Sequence, residues 1–299
     1  MKKHFLCTPL LLSLLLSLLL LLAGCAKAPE PVDVAATTLP VYEFTQALCQ
    51  GTELRVGRLV TESVSCLHDY SLNVNQVRLA EQAEVLVLSG AGLEDFMEDL
   101  LTGKTAIDAS QGIALLEGEE HDHEEHGEHD GHHHESDPHI WLSPENAKIM
   151  AQNISQGLSR QYPQWAPVFT DNLQGLLTRL DALEQYGQDT LKTLSCRELL
   201  TFHDGFSYFA QAFDLHILAA LEEESGSEAS AKELISLIRL ARAHSLPAVF
   251  VEKNGSASAA DILCRETGAK KATLDMAMAG DSYFDAMYHN IDTIKEALG

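Results

Sequence analysis

Basic residues are scarce in this sequence of 299 residues, which has 20 Lys and Arg against 44 Asp and Glu and a formal net charge of −24. This charge balance argues against binding to nucleic acid and against binding to anionic lipid surfaces through a basic patch. The acidic excess favours cations, although acidic surfaces also serve solubility. With 45% hydrophobic residues, the chain has the composition of a globular protein and the length of two domains.

Long apolar runs are equally few. The run from Leu10 to Leu22 follows two lysines, is too short for a comfortable membrane span, and ends in small residues before Cys25. This pattern predicts a signal peptide over residues 1–24. The stretch LAGC that ends at Cys25 resembles the lipobox of bacterial lipoproteins, which implies cleavage before Cys25, acylation of its sulfur and a tether over residues 25–32. The alternative is an ordinary signal peptide followed by an incidental cysteine.

Cysteine is also infrequent, and neither the closely spaced Cys and His pairs of zinc fingers nor the HExxH helix of metalloproteases occurs. Of the six cysteines, one leaves with the signal peptide and one carries lipid. Those that remain in an exported, oxidising setting are Cys49, Cys66, Cys196 and Cys264. Four cysteines allow three pairings, among which sequence does not decide. Our preference is Cys196 with Cys264, because both lie in the same half of the chain.

Short apolar runs alternate with amphipathic stretches along the rest of the chain. The predicted strands are VDVAATT, ELRVGRLV and EVLVLSG in the first half and ELLTFHD, LHILAAL, AVFVEKN and KATLDMA in the second. Strands this apolar that are separated by helices belong in parallel sheets covered on both faces. A long helix between the two groups has an apolar stripe of Leu173, Leu176, Leu177, Leu180 and Leu183. We predict an α/β fold of two similar lobes, 33–163 and 194–299, joined by a linking helix over 164–193.

The octet DPHIWLSP, from Asp137 to Pro144, places a histidine on a short, stiff segment just before a helix. Pro138 restricts Asp137 to an extended conformation, and Ser143 followed by Pro144 is a strong start signal for a helix. A ring held in this way can act as a ligand with little ordering cost. The alternative for His139 is a buried histidine bonded to the backbone.

Three further polar residues join His139 as candidate ligands, namely His68, His203 and Asp275. Two of these four residues lie in each half of the chain, and all of them come after predicted strands. Ligands of parallel α/β sheets bind beyond the carboxyl ends of the strands, where these residues are expected to lie. Two facing lobes would bring them into one cleft, where three imidazoles and a carboxylate suit tetrahedral zinc. For each residue alone, a surface position, a helix cap or a core hydrogen bond is the alternative.

Residues 121–134, HDHEEHGEHDGHHH, hold seven histidines, five acids and two glycines, so this segment has no apolar face to bury. It is predicted to be disordered without ligand and to bind divalent metals such as zinc, copper or nickel weakly. Its histidines are His121, His123, His126, His129, His132, His133 and His134. A merely solvated polar loop is the alternative.

Six motifs carry a family resemblance across nearly the whole chain. They are TTLPVYEF at 37–44, HDYS at 68–71, SGAGLE at 89–94, DPHIWLSP at 137–144, FHDGFSYFA at 202–210 and TLDMAMAGDSYFDAMYHNID at 273–292. With them the chain resembles the zinc-binding lipoproteins of the cluster A-I family of ABC transporter solute-binding proteins. The resemblance implies two α/β lobes joined by one long helix, with metal held between the lobes and delivered to a membrane permease.

The resemblance also assigns ligands. The family's four ligand positions fall on His68, His139, His203 and Asp275, and its histidine-rich loop falls on residues 121–134. Manganese members resemble this pattern with glutamate at the third position, whereas His203 has an imidazole, which favours zinc. The chain departs from the family pattern at residues 222–229 and at Met276, and neither departure removes a ligand.

The sequence thus predicts a monomeric extracytoplasmic receptor, lipid-anchored to a bacterial membrane, that binds Zn²⁺ between two lobes and passes it to an ABC permease. The alternatives are a manganese-binding receptor of the same family and a surface adhesin or metal-responsive interaction protein. An enzyme is not expected, because a zinc hydrolase would need an open coordination position and a general base. Asp275 as a fourth ligand would close that position, and no separate base is evident.

Overall fold

The structure is a computed structural model that describes residues 32–62, 67, 70–117, 136–221 and 229–299. The predicted signal peptide, Cys25, Cys66, His68 and the histidine-rich segment 121–134 lie outside these ranges. Among the helices of the described ranges, none combines the length and the apolar character that crossing a membrane would require.

The first half of the chain forms a parallel sheet of four strands in the order β2-β1-β3-β4. The strands are β1 Val34–Ala36, β2 Val56–Arg58, β3 Val85–Leu88 and β4 Thr105–Asp108. The helices that accompany them are α1 Leu39–Leu48, α2 Val74–Gln82 and α3 Glu98–Leu101. Every residue of β1 and β3 is buried, because these central strands are covered on both faces.

The second half repeats this arrangement as a parallel sheet in the order β6-β5-β7-β8. Its strands are β5 Glu198–Thr201, β6 His216–Ala220, β7 Ala248–Glu252 and β8 Lys270–Leu274. Two long helices, α4 Pro144–Gln161 and α5 Ala166–Leu191, lie between the two sheets in sequence. The helices of the second half are α6 Ser207–Ala212, α7 Ala231–Ala243, α8 Ser258–Thr267 and α9 Tyr283–Leu298. The two sheets share one strand order, which confirms the prediction of two similar α/β lobes.

The long helix α5 lies between the two sheets in sequence and packs against α1, α4 and α9, which belong to different halves of the chain. Its buried face includes Leu176, Leu180 and Leu183, as the leucine stripe predicts. The helix before it begins as predicted, because Pro144 is its first residue and the Ser143 hydroxyl accepts the Asn146 N–H at 3.4 Å. The lobe boundaries near residues 163 and 193 stay a prediction.

Among these strands and helices, β4, α9 and the single-turn helix α3 were not predicted. Strand β4 lies at the sheet edge with Thr105 and Ala106 exposed, so it lacks the apolar run by which the other strands were found. Helix α9 follows Ser282, whose hydroxyl accepts the Asp285 N–H at 3.2 Å. This serine cap before an apolar run was an available signal for α9.

The preferred disulfide between Cys196 and Cys264 is wrong, because both residues have free thiols. Cys196 precedes β5 and its Sγ lies 3.8 Å from the Glu198 carbonyl oxygen, while Cys264 lies in α8. Both pack against the same apolar cluster of the second lobe. Membership of one lobe therefore did not bring the two sulfurs into the narrow geometry that a disulfide requires.

Candidate metal centre

The ring and the backbone N–H of His139 both contact Asp137, two positions earlier in the octet DPHIWLSP. Its side chain is almost fully buried, and its Nδ1 lies 2.8 Å from Asp137 Oδ1, which also accepts the His139 backbone N–H at 2.9 Å. A carboxylate at Nδ1 fixes the tautomer in which Nδ1 carries the proton, so the lone pair for a metal is on Nε2. The alternative of a ring bonded to the backbone is not what the structure shows, because the ring's partner is the Asp137 carboxylate.

A second buried imidazole lies near a carboxylate in the other lobe, at a longer distance. His203 lies just beyond β5, is almost fully buried, and has its Nδ1 3.7 Å from Oε2 of Glu252. Glu252 is the last residue of β7, which pairs with β5, so parallel pairing brings the two side chains to one edge of the sheet. Glu252 lies on the Nδ1 side of the His203 ring, so Nε2 is on the side of the ring away from this carboxylate.

These two histidines, 64 positions apart in sequence, are neighbours in space. Their ring centroids lie 5.4 Å apart with the ring planes at 86°. Gly205 lies against both rings, because a Cβ at this position would come within 3.0 Å of His203 Cδ2 and 3.1 Å of His139 Cε1. His139 and His203, two of the four predicted ligands, therefore lie side by side in the structure.

Two hydrogen bonds between its backbone and the Asn290 side chain fix Asp275 at the carboxyl end of β8. Its N–H donates to Asn290 Oδ1 at 2.7 Å, and its carbonyl accepts the Asn290 side-chain amide at 2.7 Å. The carboxylate is shared between the Ala277 N–H, 2.9 Å from Oδ1, and the Lys253 ammonium, 3.0 Å from Oδ2. The role of Asn290, which is fully buried, was not foreseen from the sequence.

Buried aromatic residues connect the His139 segment to the second lobe. Trp141 Nε1–H donates to the Met276 carbonyl at 2.7 Å, and the Tyr283 hydroxyl donates to the Trp141 carbonyl at 2.8 Å. The Tyr208 hydroxyl donates to the Asp137 carbonyl at 3.0 Å. Met276, which departs from the family pattern, directly follows Asp275. Its backbone carbonyl thus connects this part of the chain to the segment that carries His139.

The structure does not describe the whole predicted ligand set. His68 lies outside the described residues, and within the described ranges no group of three or more His, Cys, Asp or Glu side chains could hold a metal ion. Within the described residues, no strand ends directly before His139. Its segment is positioned by a hydrogen bond from the Asp137 N–H to the Leu116 carbonyl, at 3.0 Å, and leads into a short 3₁₀ turn.

At the carboxyl edge of the first sheet, the motif SGAGLE contributes a buried carboxyl group. Glu94 accepts hydrogen bonds from the Thr37 hydroxyl at 2.6 Å and from the backbone N–H groups of Ser89 and Gly90 at 2.7 and 2.9 Å. Burial raises the pKa of Glu94 to about 7, although these hydrogen bonds act in the opposite direction. The motif therefore has a structural role, since it joins the ends of β1 and β3.

Two parallel α/β lobes flanking one long helix, with buried histidines from separate segments side by side, define a two-lobed binding protein. The chain belongs to the ZnuA family, described as zinc-uptake complex component A, periplasmic, whose model matches residues 34–297. This membership confirms the resemblance found in the sequence.

Similar proteins support the same family. The zinc-binding lipoprotein AdcA of Streptococcus pneumoniae serotype 4 is 31% identical over 310 residues, which are 95% of this chain and 60% of AdcA. The zinc-binding protein AdcA of Streptococcus pyogenes serotype M3 is 28% identical over 318 residues, 99% of this chain. The chain spans 61% of the length of that relative.

Solved structures agree with the fold. A crystal structure of ZnuA has a TM-score of 0.77 at 29% identity and covers 90% of this chain and 100% of its own. The crystal structure of Zn(II)-bound AdcA from Streptococcus pneumoniae has a TM-score of 0.73 at 25% identity and covers 90% of this chain and 58% of its own. The two-lobed architecture is therefore shared with proteins whose zinc-bound structures are known.

Proposed function

We propose that this protein is an extracytoplasmic receptor that binds Zn²⁺ between its lobes and delivers it to an ABC permease. The observation that carries the proposal is the contact between the His139 and His203 rings, each with a carboxylate near its Nδ1. Two imidazoles oriented in this way offer their Nε2 atoms as a pair of ligands for a borderline divalent metal. Family membership and the zinc-binding relatives support zinc as the cargo.

The proposed ligand set is His68, His139, His203 and Asp275. Three neutral nitrogens and one carboxylate oxygen form a closed tetrahedral set, which suits a carried ion better than a catalytic one, because a catalytic zinc keeps one position open. The resemblance places glutamate at this third ligand position in manganese-binding relatives. The imidazole nitrogen of His203 supports zinc over the harder manganese ion. We therefore propose no enzymatic activity.

The proposal extends to residues outside the described ranges. Acylation of Cys25 would anchor a monomeric, extracytoplasmic receptor to a bacterial membrane. The histidines of residues 121–134 would gather zinc through several weaker sites close to Asp137 and raise its local concentration. Ordering a polar segment around an ion costs conformational entropy, so these sites should bind more weakly than the preorganised one.

Uptake under zinc limitation tests the proposal. A strain that lacks the protein should lose zinc accumulation, the parent gene should restore it, and the His139→Ala variant should not. His216, exposed at the start of β6, provides the matched control, since His216→Ala removes an imidazole away from the site. Undiminished uptake in the deletion strain would refute the receptor function and favour an adhesin.

Deleting residues 121–134 should remove weak zinc equivalents and leave tight binding nearly unchanged.

A further inference from the structure

Lys253 and Asp275 form an ion pair at the edge where two neighbouring strands end. Lys253 is the first residue after β7 and Asp275 the first after β8, and the Lys253 N–H donates to the Leu274 carbonyl at 2.9 Å. The ammonium Nζ lies 3.0 Å from Asp275 Oδ2. The Lys253 side chain is 61% exposed, whereas that of Asp275 is 15% exposed. The ammonium of an exposed lysine side chain therefore contacts a carboxylate that is largely buried.

The two oxygens of this carboxylate are held in different ways. Oδ1 accepts the Ala277 backbone N–H at 2.9 Å, within a backbone that Asn290 fixes. Among the described residues, Oδ2 accepts from the Lys253 ammonium, and such a long, solvent-exposed side chain can move away at little cost. An incoming cation would therefore take Oδ2 and displace the ammonium.

We propose that Lys253 is a built-in competitor of the cargo ion at Asp275, and that it lowers the affinity for zinc so that the ion can be released. This inference rests on the proposed function, in which Asp275 is a ligand. Zinc binding would break the ion pair and free the ammonium, and zinc release would restore it. Besides competing for Oδ2, the ammonium repels a divalent ion, and both effects make zinc binding weaker.

The expected size of this effect is modest. Exposed ion pairs contribute little, so removing Lys253 should tighten zinc binding by about two- to fivefold at low ionic strength. Salt screens charges that lie near solvent, so the gain should shrink as the salt concentration rises. The stabilising interaction between Lys253 and Asp275 should be present in the zinc-free protein and absent in the zinc-bound protein.

Lys253→Met removes the charge and keeps the length of the side chain. Lys271→Met is the matched control, because Lys271 lies on β8 and pairs with Asp261 in α8. Zinc affinity should be measured for both variants by competition with a chelator, at low and high salt. We expect tighter binding for Lys253→Met at low salt only and parental affinity for Lys271→Met. Parental or weaker affinity for Lys253→Met at low salt would overturn the inference.

Asp275→Asn separates this inference from the proposed function. If Asp275→Asn binds zinc as tightly as the parent protein, the ligand assignment itself is wrong. If Asp275→Asn weakens binding but Lys253→Met changes nothing, only the competitor role fails. A double-mutant cycle on the free energy of unfolding provides a readout independent of zinc affinity. Coupling between the residues should appear in zinc-free protein and vanish when zinc is saturating, and equal coupling in both samples would contradict the inference.

Discussion

Replacing Gly205 by alanine should weaken zinc binding without removing any ligand. The added Cβ would lie 3.0 Å from His203 Cδ2, 3.1 Å from His139 Cε1 and 2.6 Å from Met276 Cε. Non-bonded carbon atoms keep about 3.5 Å, so both rings must retreat by roughly 0.4 to 0.5 Å, while the flexible methionine can turn aside. Metal–ligand distances tolerate only about 0.2 Å, so the displacement exceeds what a tetrahedral zinc site accommodates.

We expect the Gly205→Ala variant to bind zinc roughly 10- to 100-fold more weakly, with an overpacking cost of about 1–3 kcal/mol in the free energy of unfolding. Zinc titration by calorimetry measures the first effect and urea denaturation the second. Gly175→Ala is the control, because a Cβ at this helical position meets no atom within 4 Å. It should stabilise α5 by about 0.5–1 kcal/mol and leave zinc binding unchanged. Parental zinc affinity in a folded Gly205→Ala protein would refute the proposed closeness of the metal to both rings.

Two further predictions concern buried carboxyl groups. Asp137→Asn should weaken zinc binding by roughly 10- to 100-fold, because the amide no longer fixes the His139 tautomer; calorimetry measures this, and parental affinity would contradict it. For Glu94, with a pKa of about 7 in the folded protein against its usual value near 4.5, the folded state retains a proton that the unfolded chain releases. The free energy of unfolding should therefore fall by up to about 3 kcal/mol between pH 4.5 and 7. In urea denaturation across this window, Glu94→Gln should show a shallower decline, and an unchanged slope would refute this origin.

The strands and the long helix were predictable because their apolar patterns are strong. Strand β3 is a continuous apolar run and α5 has a leucine stripe, so local sequence and burial agree in both. The edge strand β4 escaped prediction because half of it is exposed and needs no apolar run. Cys196 and Cys264 were assigned to one lobe correctly, but a shared lobe does not specify the distance between two sulfurs.

For the site residues too, those with a local sequence signal were predictable and those without one were not. His139 and His203 were recognisable from the types and positions of their neighbours, and the structure places them in contact. Two supporting residues were missed, because Glu252 lies near His203 and Asn290 bonds to Asp275 through contacts between residues far apart in sequence, which no local pattern predicts. Another supporting residue did have a local signal, since Asp137 lies two positions before His139 in the same motif.

Calorimetric titration of zinc into the His139→Ala variant tests the central claim most directly. The parent protein should show one tight zinc equivalent, besides any weaker equivalents from residues 121–134. His139→Ala should lose that tight equivalent, while His216→Ala should retain it and both variants should keep the parental far-UV circular dichroism. Tight stoichiometric zinc binding in folded His139→Ala would contradict the assignment of the metal centre.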